Sequence, residues 1–158
     1  MKKVNISILS VLAGGVLGAG LIGIKAIKKV YNEKANTNKF RSLFHLMSQW
    51  VKVNQDGKRV IDFFEEKGYK KIAIYGMGYV GEILNDEFRD SNITVEYGID
   101  KNADSIYADV DVISVNDPLM EVDAVVVTAI TYFEEIEKEL SEKISCPIIS
   151  LEDILNQI

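Results

Sequence analysis

Lys71-Ile-Ala-Ile-Tyr75-Gly76-Met77-Gly78-Tyr79-Val80-Gly81, continued by EILNDEFRDSNITVEYGID to Asp100, is the stretch whose reading decides the fold. Lys71–Tyr75 alternates into a short apolar strand, and the glycines follow it directly. Ile83, Leu84 and Phe88 then recur at helical spacing to about Asp90, and Thr94–Ile99 reads as a second strand ending at Asp100. Strand, G-x-G-x-x-G, helix, strand and acid within about thirty residues is the full context that dinucleotide binding requires. Gly76 permits the tight turn out of the strand. Gly78, lacking a side chain, lets a pyrophosphate approach the backbone across Met77, Tyr79 and Val80. Gly81 lets the helix pack on the sheet, and the helix N-terminus offers N–H groups and partial positive charge to phosphates. Asp100, nineteen residues after Gly81, is placed to accept hydrogen bonds from a ribose diol. A carboxylate there disfavours a 2′-phosphate, while adjacent Lys101 blunts the preference for NAD over NADP. The alternative is a domain that keeps these glycines for packing alone.

Downstream, Val110–Val115 reads as a third strand and Asn116-Asp117-Pro118 as a turn or brief helix. Val122–Ile130 (VDAVVVTAI) is a nearly continuous β-branched run, expected of a central parallel strand buried on both faces. Thr131 and Glu134 suggest a capping box for a helix over Tyr132–Lys143. Pro147–Ser150 is the expected last strand, with Ser150 and Asp153 capping a closing helix, Leu151–Gln157. Thr128, Thr131 and Tyr132 fall at the carboxyl end of strand four, where ligands of open α/β sheets sit, so Thr128 joins the candidate site. The expectation is an α/β, Rossmann-like parallel sheet of five strands in the order 3-2-1-4-5, over residues 68–158.

Charge divides the chain. The net charge is −6, but residues 1–41 carry eight Lys/Arg against Glu33 alone, leaving −13 for the remainder. The acidic balance argues against nucleic acid as a partner. One cysteine (Cys146) and one histidine (His45) exclude a disulfide framework and a His/Cys zinc cluster. Val4–Ile24 is a run of 21 uncharged residues, about enough to span ~30 Å of hydrocarbon as a helix. Its five glycines include the GxxxG of Gly14 and Gly18. A cleaved signal peptide is the rival reading, but the run is long for one and a basic flank (Lys25, Lys28, Lys29) follows it. That flank predicts a single-pass membrane anchor over residues 1–29, with the C-terminal domain in the cytoplasm.

Residues 30–67 form a juxtamembrane and amphipathic segment. Its basic start could rest against anionic headgroups. Phe40, Leu43, Phe44, Met47, Trp50 and Val51 mark an apolar helical face, and a second helix from about Lys58 is stopped by Gly68. Both helices are expected to extend the core of the next domain. The sharper alternative is a homo-oligomer or partner interface through residues 40–64, since Trp and Phe favour such surfaces. His45 reads as a packing or surface residue.

Residues 68–158 contain no histidine, no Tyr-x-x-x-Lys pair after strand four and no separate catalytic domain, so the reading leans away from an enzyme. Cys146 reads as a structural thiol. KKIAIYGMGYVGEIL, VEYGIDKNAD, VDAVVVTAI and CPIISLEDIL resemble the small Rossmann domains of bacterial surface-glycan biosynthesis proteins, among them the nucleotide-sugar-binding domains of bacillosamine- and sialic-acid-type sugar acetyltransferases. The resemblance implies a nucleotide, NAD or a UDP-sugar, as ligand. It does not extend to acetyl transfer, because the hexapeptide-repeat catalytic domain has no counterpart in the chain. The combined expectation is a membrane-anchored nucleotide-binding accessory protein in envelope polysaccharide synthesis. The alternatives are part of an enzyme completed by a partner subunit and a ligand-free interaction module.

Overall fold

The computed structural model describes residues 33–158. The chain divides into two units, residues 1–41 and 42–158. In the first, the described residues 33–41 are helical. The expected membrane span, Val4–Ile24, lies outside the described residues, and among those described no helix is long and apolar enough to cross a membrane.

The second unit opens with helical residues 42–55 (α1) and the helix Val60–Lys67 (α2). The strands are Lys71–Tyr75 (β1), Thr94–Ile99 (β2), Val112–Ile113 (β3), Ala124–Val127 (β4) and Ile148–Ser150 (β5). Between and after them come Tyr79–Phe88 (α3), Phe133–Ser141 (α4) and Leu151–Gln157 (α5). The sheet runs β3-β2-β1-β4-β5 with every neighbouring pair parallel, as the alternating pattern predicted. Parallel neighbours need crossovers, and the β1–α3–β2 and β4–α4–β5 units supply helical ones. β1 is the central strand between β2 and β4, and β4 is buried at all four positions, as its β-branched run required.

Strand alternation sends Ile72, Ile74, Ala124 and Val126 to one face, where they meet α1, α2, α3 and α5. Ala73, Tyr75, Val125 and Val127 point to the other, under Ile136 and Leu140 of α4 and Val115 and Val122 of the β3–β4 connection. Residues 42–67 therefore share one core with the sheet, as expected of the two helices. Gly68, at φ 75°, ends α2 in the left-handed conformation that its sequence position implied.

Four local expectations are corrected. The third strand is two residues long, not six, because only Val112 and Ile113 align with Gly98 and Ile99 of β2. The fourth stops at Val127. Thr131 does not cap α4, since Ile130–Tyr132 form a 3₁₀ turn in which the Tyr132 N–H bonds the Ala129 carbonyl at 2.9 Å. Ser150 is the N-cap residue of α5, but its buried side chain makes no capping hydrogen bond.

The apolar face of α1 is also rotated from expectation. Leu46, Trp50 and Val53 are buried, whereas Phe44 and Val51, and Phe40 of the first unit, are exposed. The buried choice is anchored by polar contacts: Trp50 Nε1 donates to Glu87 Oε2 of α3 at 3.0 Å, and Gln49 Nε2 donates to Asn156 Oδ1 of α5 at 2.7 Å.

Glu87 joins three helices, since its other oxygen accepts from the Val60 N–H at the start of α2, 3.3 Å away. Burial pushes its carboxyl above the usual glutamate range, outweighing those hydrogen bonds and Arg59. A raised folded-state pKa makes the protonated form the favoured one, so this contribution is present at low pH and lost as pH rises through the folded value. The unfolding free energy of Glu87→Gln relative to wild type should therefore shift in the variant's favour as pH rises from about 4 to about 7, by at most ~1 kcal/mol after solvent screening. Scanning calorimetry across that range checks it, and a trend of the opposite sign overturns it.

Candidate functional site at the glycine turn

The site is built where β1 gives way to α3. Gly76 sits at φ 96°, a conformation L side chains rarely adopt, and a Cβ there would lie 2.6 Å from Thr128 Oγ1. Its N–H donates to the Ile99 carbonyl at 2.8 Å, which ties the turn to the end of β2. Gly81, in the first turn of α3, faces the Gly76 carbonyl so closely that a Cβ would stand 2.3 Å from that oxygen. Gly78, the N-cap residue, is extended (φ −80°, ψ −164°), and a Cβ there meets nothing within 4 Å. Gly76 is thus required by its conformation and Gly81 by close packing, whereas at Gly78 the backbone is open on its Cβ side.

The first i→i−4 bond of α3 runs from the Glu82 N–H to the Gly78 carbonyl at 2.9 Å. The N–H groups of Tyr79, Val80 and Gly81 precede it and have no partner within the helix. They give the open side of Gly78 a cluster of donors at the positive end of a ten-residue helix. Tyr79 is 86% exposed beside them.

Asp100 is brought to this turn, as its spacing implied, but its carboxylate is already engaged there. Oδ2 accepts from the Met77 N–H at 3.0 Å, and Oδ1 accepts from the Asn102 N–H at 2.9 Å. An ionised carboxylate has about four acceptor positions, so two remain for a ribose diol. Lys101 is exposed alongside. Asp100→Ala should lower stability by about 1 kcal/mol through the orphaned Met77 N–H, and weaken a bound nucleotide by ~1–3 kcal/mol. Paired denaturation and titration calorimetry separate the two losses, and unchanged values in both would remove Asp100 from the site.

Two expected site residues serve the fold. The side chain of Met77 is 1% exposed and packs on Gly98, where a Cβ would come within 2.4 Å of Met77 Cγ, so only its backbone N–H faces the turn. Thr128, 6% exposed, has its hydroxyl within hydrogen-bond distance of the Gly76 carbonyl (2.6 Å) and the Tyr75 carbonyl (3.1 Å). It clamps the end of β4 to the glycine turn.

Sequence reasoning missed Gly98 and Tyr75. A glycine inside a strand signals close approach of another group, here Met77. Tyr75, 3% exposed, carries the one buried side-chain polar atom without a hydrogen-bond partner among the described residues, and no pattern in the sequence announces it. Burial, then the Glu139 and Asp100 carboxylates, push its hydroxyl above the usual tyrosine range. Cys146 is half-buried with its thiol pushed up by burial, in keeping with a structural role. His45 is exposed, its ring edge-on to Phe44.

The fold and site define a five-stranded parallel α/β domain with an open glycine turn at a helix N-terminus. The chain belongs to the C2185-like, N-terminal family, whose model matches residues 68–148, just over half of it. No curated protein and no solved structure matches the chain.

Proposed function

We propose that this chain is a membrane-anchored nucleotide- or dinucleotide-binding accessory protein with a Rossmann-like domain. The observation that carries this reading is the open face of Gly78, backed by the unbonded N–H groups that open α3 and flanked by Asp100. A phosphate at that face meets donors and a helix dipole with no side chain in the way. Asp100 faces the ribose, and Tyr79 and Lys101 border the site. The resemblance to surface-glycan proteins makes a UDP-sugar the first alternative to NAD and suggests envelope polysaccharide synthesis as the setting. The 21-residue apolar run with its basic flank supports a single span with the domain in the cytoplasm.

A second reading, a ligand-free interaction module, is favoured by one observation. The Thr128 hydroxyl, the Met77 side chain and both Asp100 oxygens already have partners within the domain. Titration calorimetry of the full chain in detergent with NAD, NADP, UDP and UDP-sugars decides between them. Saturable binding of one of these supports the first reading, and indifference to all at millimolar concentration supports the second.

A further inference from the structure

A cavity of about 420 Å3 opens at the carboxyl ends of β4 and β5, where the chain turns into α4 and α5, and the nucleotide reading leaves it unused. Two pairs of carboxylates line it, Glu134 and Glu135 from the first turn of α4 and Glu152 and Asp153 from the first turn of α5. No Lys or Arg lines it, and among the described residues none of the four carboxylates has an ion-pair or hydrogen-bond partner. Acids in a first turn are favoured by the helix dipole, which explains each pair by itself. It does not explain Ser150. That residue is 4% exposed and lines the same cavity, yet its hydroxyl has no hydrogen-bond partner among the described residues. Buried hydroxyls ordinarily find one. Unlike the sealed hydroxyl of Tyr75, this one is left open to the cavity.

Charge fixes the sign of the ligand. Four carboxylates, less about half a charge from each helix N-terminus, leave roughly −3 around the cavity. The unit that contains it, residues 42–158, itself carries −13. Such a field repels anions and draws in cations. A metal ion does not fit, because among the described residues no group of three or more acidic, His or Cys side chains is placed to hold one. The carboxylates come instead as two pairs on two helices, around a cavity within the size range of small-molecule sites. Two separate anionic pairs match two separate cationic groups on one ligand.

We propose that this cavity binds an aliphatic di- or polyamine, with one ammonium against Glu134 and Glu135 and another against Glu152 and Asp153, where the Ser150 hydroxyl accepts from it. An ammonium has three donors, enough for two carboxylates and a hydroxyl at once. The methylene chain lies along Ile130 and the half-exposed ring of Tyr132, whose face also attracts a cation. Neither the glycine turn nor Asp100 lines the cavity, so this site stands whether or not a nucleotide binds.

Titration calorimetry of the full chain in detergent with spermidine tests it, with 1-aminobutane as the single-ammonium control. The expected result is one saturable site, at least about fivefold tighter for spermidine than for 1-aminobutane and weakened by high salt. Glu134→Gln with Asp153→Asn, both exposed positions, should weaken it at least about tenfold. Ser150→Ala should weaken it about threefold, with its melting temperature read alongside to show that the variant is folded. Glu137→Gln with Glu142→Gln removes the same charge from exposed positions outside the cavity and should leave the affinity unchanged. Equal losses in the two double variants overturn the proposal, since they would report diffuse attraction to an acidic surface. Equal affinities for the two amines, an unchanged affinity in folded Ser150→Ala, or no saturation at millimolar spermidine overturn it as well.

Discussion

Gly78→Val is expected to weaken nucleotide binding about a thousandfold, or ~4 kcal/mol, while costing the fold no more than the ~1 kcal/mol by which valine is the poorer N-cap residue. Both halves follow from the geometry. The residue is extended at φ −80°, which valine adopts without strain, and its Cβ direction is open for 4 Å. A branched side chain in that space would occupy the position proposed for a phosphate and cover the first N–H groups of α3. Differential scanning fluorimetry of wild type and variant, each with and without NAD and UDP-sugars, measures both quantities. A variant that melts like wild type and still gains the same ligand-dependent shift would place the ligand elsewhere. A variant that loses much more than the ~1 kcal/mol of the N-cap change would contradict the open geometry.

Gly81→Ala should behave in the opposite way, losing about 2–4 kcal/mol of stability, which for a domain of this size is a fall of roughly 5–15 °C in melting temperature. Its Cβ would stand 2.3 Å from the Gly76 carbonyl oxygen, a backbone atom that cannot rotate aside. That carbonyl is within hydrogen-bond distance of Thr128 Oγ1, so pushing it disturbs the clamp between the central strand β1 and its neighbour β4. Chemical denaturation checks the loss. A cost below ~1 kcal/mol would mean that α3 slides along the sheet at little expense. The contrast between the two glycines, three residues apart in one motif, tests whether the open one serves the proposed ligand while the crowded one serves packing.

The limits of β1 and β2 were legible to the residue, because each is bounded by local chemistry, a glycine turn and an acid, and those of α5 were legible although Ser150 supplies no capping bond. Strands three and four were read too long. Their ends are set by the partner strand, and β-branched residues continue past the point where pairing stops. Val122 lies before β4 because Asp123 turns its carboxylate onto the Lys70 and Lys71 N–H groups, at 2.7 and 2.9 Å. Thr131 looked like a cap, but Ala129 supplied a competing carbonyl and the chain tightened into a 3₁₀ turn instead. In α1 the apolar residues extend around most of the helix. Periodicity alone could not say which arc the core would take, and the contacts of Trp50 with Glu87 and of Gln49 with Asn156 decided it.

By itself the sequence determined the parallel α/β sheet, its strand order and the place of the glycine turn, because strand–glycine–helix–strand spacing and a right-handed crossover leave few ways to lay the chain. It also placed Gly76 and Gly81 where the structure has no room for a side chain. Only the tertiary structure decided what the side chains around that turn do. Thr128 and Met77 went to the fold, Asp100 was divided between the fold and the open side of the turn, and Tyr75 was left with a buried hydroxyl unpaired. The physical reason is that backbone conformation follows from neighbours along the chain. Whether a hydroxyl or carboxylate is spent or spare depends on atoms that residues more than twenty positions away bring within 3 Å of it.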